Sequence, residues 1–237
     1  MATFTTDRPQ VLDWVRTIQG FKGDTAAVGL DYRVQDGLMY IVGNHGGVYT
    51  VKISPPDVII TKVSQLTVPL HGTNFGVDFN PAADRLRVLG DTGQNLRHDL
   101  NTHTTTTDVA LTTPPTPGTT LGVTAAAYTN NDLNPDTATT LFDIGTATDQ
   151  VLVQSPANNG TLAPTGRLTV DAGANAGFDI YSTLSNGKAT SAAGFATLAA
   201  PDGTSSLYGV NLLSGMATGI GRFPVPITDL AISLSGS

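Results

Sequence analysis

The chain predicts one all-β domain, a five-bladed β-propeller closed by pairing of its N- and C-terminal strands. Three observations carry that reading. First, the stretch Asn74 to Arg97 is strand, turn, strand, turn, strand: Phe75, Val77 and Phe79 alternate, Asn80-Pro81 breaks the run, Leu86 and Val88 resume it, and Gly90-Asp91-Thr92-Gly93 turns it again. Second, the pattern recurs. A gapless shift of 47 residues places Gly29 on Gly76, Asp31 on Asp78, Tyr32 on Phe79, Gly43 on Gly90 and Gly46 on Gly93, and weaker openings follow at Ala125, Gly177 and Asp229. Anchors at 29, 76, 125, 177 and 229 give a period near 50, what four short antiparallel strands and their turns require. Third, the last anchor stands too near the C-terminus to open a whole blade, so it must borrow strands from residues 3 to 22, which also protects free strand edges.

Residues 1 to 24 are ambiguous: Val11, Trp14, Val15 and Ile18 have helical spacing after Asp7 and Pro9, whereas closure demands strands, which we expect. Trp14, the only tryptophan, reads as a core anchor of the composite blade, with ligand stacking as the alternative. The blades are expected at 26–67, 74–111, 122–170 and 175–223, with 227–235 joining 3–22. Pro114 to Pro117 is a spacer, and no composition break divides the chain into two domains.

Composition excludes several functions. The net charge is −7 with 12 Lys plus Arg, so nucleic acid and anionic membrane surfaces are poor partners. The absence of cysteine removes disulfides, thiolate metal sites and thiol nucleophiles. No run is apolar enough for membrane insertion, and residues 1 to 10 lack the basic and apolar regions of a signal peptide, which by itself reads as cytoplasmic or as a trimmed chain.

The motifs Asp84-Arg-Leu-Arg-Val and Asp91-Thr-Gly-Gln-Asn-Leu-Arg97, with Ala125-Ala-Ala-Tyr-Thr-Asn-Asn131, Thr140-Leu-Phe-Asp-Ile144, Asn158-Asn-Gly-Thr-Leu162 and Gly177-Phe-Asp-Ile180, resemble the bacterial DUF4394 family over about residues 26 to 233. The resemblance implies a propeller-like, usually secreted or cell-surface protein with no assigned activity.

Candidate chemistry gathers on the repeat. Asp31, Asp78 and Asp179 share one repeat position, where Ala127 and Ala231 stand in the other copies, and innermost strands surround the axis. Three carboxylates there would bind a hard cation, or keep one raised-pKa acid for proton transfer, or simply accept backbone N–H bonds that lock the inner packing. Arg85, Arg87 and Arg97, with Asn80, Gln94 and Asn95, would present planar donors to a carboxylate or polar carbonyl ligand, with Asp31, Asn130 and Asn131 as further ligand-binding candidates; otherwise Arg85 ties strands together through Asp84, Asp91 or Asp99. His98 is a conceivable base near Asp78, or a plain strand histidine. Asp132, Asn134 and Asp136 have the alternation of a calcium loop, but Thr137 replaces its turn glycine and Asp143 its glutamate, so a solvated loop competes with Ca2+.

The expected function is a binding or interaction module taking a small polar molecule or peptide at a mouth of the central channel. The alternatives are an enzyme (lyase, hydrolase or cyclase) with Asp78 or Asp179 as acid or base, Tyr128 as donor and Arg85 or Arg97 for orientation, and a structural extracellular repeat protein. Propeller folds alone do not choose among them.

Overall fold

The computed structural model describes residues 1–234. At the N-terminus β1 (Ala2–Phe4) and β2 (Leu12–Val15) form a small antiparallel sheet, and β3 (Ile18–Gln19) follows. Blade 1 is β4 (Ala27–Arg33), β5 (Leu38–Gly43), β6 (Gly47–Ser54) and β7 (Asp57–Gln65), extended by β3, which pairs parallel with β7. Blade 2 is β8 (Phe75–Asn80), β9 (Arg85–Gly90), β10 (Asn95–Asp99) and β11 (Thr104–Thr107). Blade 3 is β12 (Val123–Tyr128), β13 (Leu141–Gly145), β14 (Gln150–Gln154) and β15 (Leu162–Arg167). Blade 4 is β16 (Ala176–Tyr181), then a two-stranded loop of β17 (Leu184–Ser185) and β18 (Lys188–Ala189), then β19 (Ala193–Ala199), β20 (Ser205–Val210) and β21 (Ala217–Arg222). Apart from β3 on β7 the pairing within each blade is antiparallel, and β4, β8, β12 and β16 contact one another in turn as the innermost strands.

The core lies between blades because strand residues alternate in direction. Phe75, Val77 and Phe79 of β8 pack with Tyr40, Val42 and Val48 of blade 1, while Leu89 of blade 2 packs with Ala126, Leu141 and Leu152 of blade 3. A third cluster joins Ala125, Phe142 and Ile144 to Phe178, Ile180 and Leu198 across blades 3 and 4. Each buried Val, Leu, Ile or Phe among them contributes about 1.5–3 kcal/mol of transfer free energy. The inner strands approach so closely that a Cβ on Gly76 would lie 2.6 Å from the backbone nitrogen of Ala126, and one on Gly177 2.4 Å from the Cα of Asp229.

The structure corrects the expectation of five blades closed by paired terminal strands: among the described residues there are four blades, three of four strands and one of five, and the chain ends share no sheet. Among the described residues the N-terminal strands pair elsewhere, β1 with β2 and β3 with β7, so none is left to pair with residues 227–232. Pro224 and Pro226 have no N–H, Ile227 N–H bonds to Ser205 Oγ, Leu230 N–H to Asp229, and Ile232 N–H to Asp179. At the other end β1 has only β2 as partner. The termini still occupy the sector between blades 4 and 1. Phe4 stacks edge-on against Phe223, Pro9 abuts Gly221, Ile18 and Phe21 cover the apolar outer face of blade 1, and Asp229 bonds the N–H of Leu30. Residue 235, the last of the expected closing segment, lies outside the described residues.

The first 24 residues hold the short strands β1, β2 and β3 with turns between them, and no helix. Trp14 is not a core anchor: it is half-buried on the small sheet, with the Arg16 guanidinium 4.4 Å above its ring. No helix among the described residues is long and apolar enough to cross a membrane.

Candidate functional site between blades 2 and 3

Strand register decides which side chains of the best-marked motif meet. Asp78, Arg87 and Arg97 are aligned across β8, β9 and β10, as are Asn80 and Arg85 across β8 and β9, so all five lie on one face of the blade, the face turned to blade 3. Directly opposed arginines repel. The carboxylate of Asp108 resolves this, its Oδ2 accepting from Arg87 Nη1 and Arg97 Nε, both at 2.6 Å, and its Oδ1 from Arg97 Nη2 at 2.9 Å.

Arg87 is 2% exposed and every nitrogen of its guanidinium donates. Nη1 also reaches Asn95 Oδ1 at 2.6 Å, Nη2 reaches Asn158 Oδ1 at 2.8 Å, and Nε reaches the Tyr128 hydroxyl at 3.2 Å. It is a bridge from blade 2 to blade 3. Arg85 pairs with Asp99 at 2.9 Å and donates to the carbonyls of Ala83 and Asp84.

These groups wall a cavity of about 210 Å³, lined by Asn80, Ala83, Arg85, Arg87 and Arg97 from blade 2 and by Tyr128, Pro156, Ala157 and Asn158 from blade 3. Three guanidiniums face it against two carboxylates, Asp99 and Asp108, leaving one net positive charge. Burial raises the Tyr128 phenol, so its hydroxyl stays protonated. Deeper in the same interface Asp143 on β13 is fully buried, and neither carboxylate oxygen has a hydrogen-bond partner; burial pushes it well above the usual carboxylate range, against the pull of Arg87.

The other candidates lie elsewhere. Asp31, Asp78 and Asp179 meet at the axis, as their repeat position implied. Asp31 accepts the N–H of Tyr32 and of Phe79 in the next blade; Asp78 accepts that of Tyr128, and Asp179 those of Ile180 and Ile232. Asn130 and Asn131 border a small void beside them. His98 does not approach Asp78: register places it with Phe79 and Leu86 on the opposite face, where its ring bonds Ser64 Oγ at 2.8 Å and Thr105 Oγ1 at 3.0 Å. In the 129–140 loop Asp132 accepts the N–H of Asn134 and of Ala189, and Asn134 that of Asp136. Asp143 points into the buried interface and takes no part in that loop.

Sequence reasoning missed Asp108 and Asn158 as site residues. Each is a lone polar residue at an element end, Asp108 after the threonine run and Asn158 in the turn after Pro156, and only blade packing brings them to Arg87.

A sequence profile of a domain of unknown function, DUF4394, matches residues 1–231. The chain belongs to the DUF4394 family. The family match thus takes in the N-terminal segment as well as the four blades. No curated protein matches it. Solved structures similar to this family member include hydrazine synthase from Kuenenia stuttgartiensis (12% identity, 85% of this chain and 51% of that one, TM-score 0.47). They also include the allergen Mala s 1 from Malassezia sympodialis (13% identity, 84% and 54%, TM-score 0.45). A structural-genomics protein of unknown function from Bacteroides thetaiotaomicron is likewise similar (12% identity, 90% and 56%, TM-score 0.47). The chain thus spans about half the length of each.

Proposed function

We propose that the chain is a binding module for a small carboxylate-bearing molecule, seated between blades 2 and 3 beside the channel mouth. The observation that carries this reading is the excess of guanidinium over carboxylate on the wall of a formed cavity. Arg97 supports it further: its side chain is 30% exposed, and Nε and Nη2 are held by Asp108 while Nη1 donates to no group among the described residues. A pre-positioned planar cation with a spare N–H suits a carboxylate oxygen, and the Tyr128 and Asn80 side chains supply neutral polar contacts to the rest of the ligand. At about 210 Å³ the cavity suits a small organic acid better than a peptide.

Binding is preferred to catalysis because, of the four residues named for chemistry, only Tyr128 lines the cavity. A fifth propeller sector, assembled from both chain ends without a shared sheet, is part of the same proposal, since Asp229 occupies the fifth repeat position and contacts both flanking blades. Isothermal titration with citrate, and with glycerol as a neutral control, tests the site. Saturable binding of citrate that Arg97→Gln abolishes supports it; no heat with citrate, or heat unchanged in Arg97→Gln, refutes it.

A further inference from the structure

We propose that the axis carries a second site, independent of the arginine cavity, for a hard divalent cation of the calcium class held by Asp31, Asp78 and Asp179. One oxygen from each carboxylate lies within 4.8 Å of the other two. Three points so spaced share a centre no farther from each than 4.8 Å divided by the square root of three, about 2.8 Å, and a small contraction brings that to calcium–oxygen bond length, roughly 2.3–2.6 Å.

The surroundings favour a cation. All three side chains are buried, and among the described residues no Lys, Arg or His borders the void they face. Their backbone N–H bonds leave lone pairs over, and among the described residues the one N–H that Asp78 accepts goes to Oδ1. Burial and mutual repulsion hold Asp31 and Asp78 well above the ordinary carboxylate range, and burial holds Asp179 at about 6.

Asn130 points to an occupant separately. It is 5% exposed and borders the same void; its Oδ1 accepts the N–H of Asp132 at 2.7 Å, and its Nδ2 has no partner. A buried amide donor without an acceptor costs on the order of 1–3 kcal/mol. The void, about 10 Å³, is the size of a single water. A water on the open side of an ion among the carboxylates would fill it and accept that N–H.

Terbium is the probe, because Tyr32 and Tyr128 border the void and sensitise its emission at short range. The chain, freed of metal with EDTA and held at roughly pH 7.5, is titrated with Tb3+. The expected result is tyrosine-sensitised emission saturating at one ion per chain and displaced by Ca2+. Ca2+ should also raise the thermal midpoint by several degrees over NaCl of equal ionic strength. Asp78→Asn, which keeps the oxygen that accepts the Tyr128 N–H, should weaken Tb3+ binding at least tenfold, whereas Asp136→Asn in the 129–140 loop should leave it unchanged. Absence of saturable emission in the unmutated chain overturns the proposal, as does emission that survives Asp78→Asn or disappears in Asp136→Asn.

Discussion

Asp179 reaches out of its own blade: Oδ1 accepts the N–H of Ile180 at 2.6 Å, and Oδ2 accepts the N–H of Ile232 in the C-terminal segment at 2.5 Å. Asp31 makes the same reach to Phe79 and Asp78 to Tyr128, so an acid at one repeat position clamps the following inner segment. Where alanine replaces it, at Ala127 and Ala231, the next segment's N–H groups, Ile180 and Tyr32, turn to the aspartate of their own blade. Asp179→Ala should therefore destabilise by about 2–3 kcal/mol, the range for losing charge-assisted bonds to buried N–H groups, and Asp179→Asn by about half that. Urea unfolding measures both; equal losses would show that the N–H acceptor is not what matters.

The same residue gives a pH dependence. Burial pushes its folded pKa up to about 6, above the unfolded value of about 3.9, so the folded state binds the proton more tightly. Its stabilisation is complete below the unfolded value and is lost as pH rises through about 6; Asp31 and Asp78 shift in the same direction. In metal-free buffer the thermal midpoint should thus fall from about pH 5 to 7, each group contributing at most ~1.4 kcal/mol per pH unit. His98 acts with opposite sign, because burial lowers its pKa and acid costs the folded state. Differential scanning calorimetry in a His98→Gln background isolates the aspartates, and Asp179→Asn should flatten the remaining slope.

Arg87 and Arg97 share Asp108 but should separate in effect. Arg87 is enclosed, and Arg87→Met strands Asn95 and Asn158 and leaves Asp108 with one partner, for a loss of about 3–5 kcal/mol. Arg97 is partly exposed, so Arg97→Gln should change stability by less than about 1 kcal/mol while removing citrate binding. Chemical denaturation and calorimetric titration on the two variants read the difference directly.

Asp143 is a case for removal. Its carboxyl sits between Ala126 and Leu152 in cross-strand register, with no partner for either oxygen. Asp143→Val replaces a buried, unsatisfied polar group by a β-branched one of similar size and should stabilise by about 1–3 kcal/mol, raising the urea midpoint. A lower midpoint would mean that Asp143 balances the charge of Arg87 across the interface.

The alternation Phe75, Val77, Phe79 and the spacing of Asp31, Asp78 and Asp179 were enough to place inner strands and an axial cluster, because a period of two and a repeat near 50 act locally along the chain. The same alternation put Arg85, Arg87 and Arg97 in one neighbourhood. It could not distinguish a channel mouth from a gap between blades, which depends on the face each sheet turns to its neighbour.

What the sequence alone determined is the all-β repeat, the cysteine-free acidic surface chemistry and the family. What only the tertiary structure decided is the fate of the chain ends and the partners of the arginines. Ile227 to Ile232 carry the opening pattern of a blade, yet among the described residues the N-terminal strands that would complete it pair as β1 with β2 and β3 with β7. Asp108 and Asn158 lie 21 and 71 residues from Arg87 along the chain and meet it only because blades 2 and 3 pack face to face. Local patterns specify strands; hydrogen-bond donors and charges find partners across the packed faces, and those pairings set both the blade count and the site.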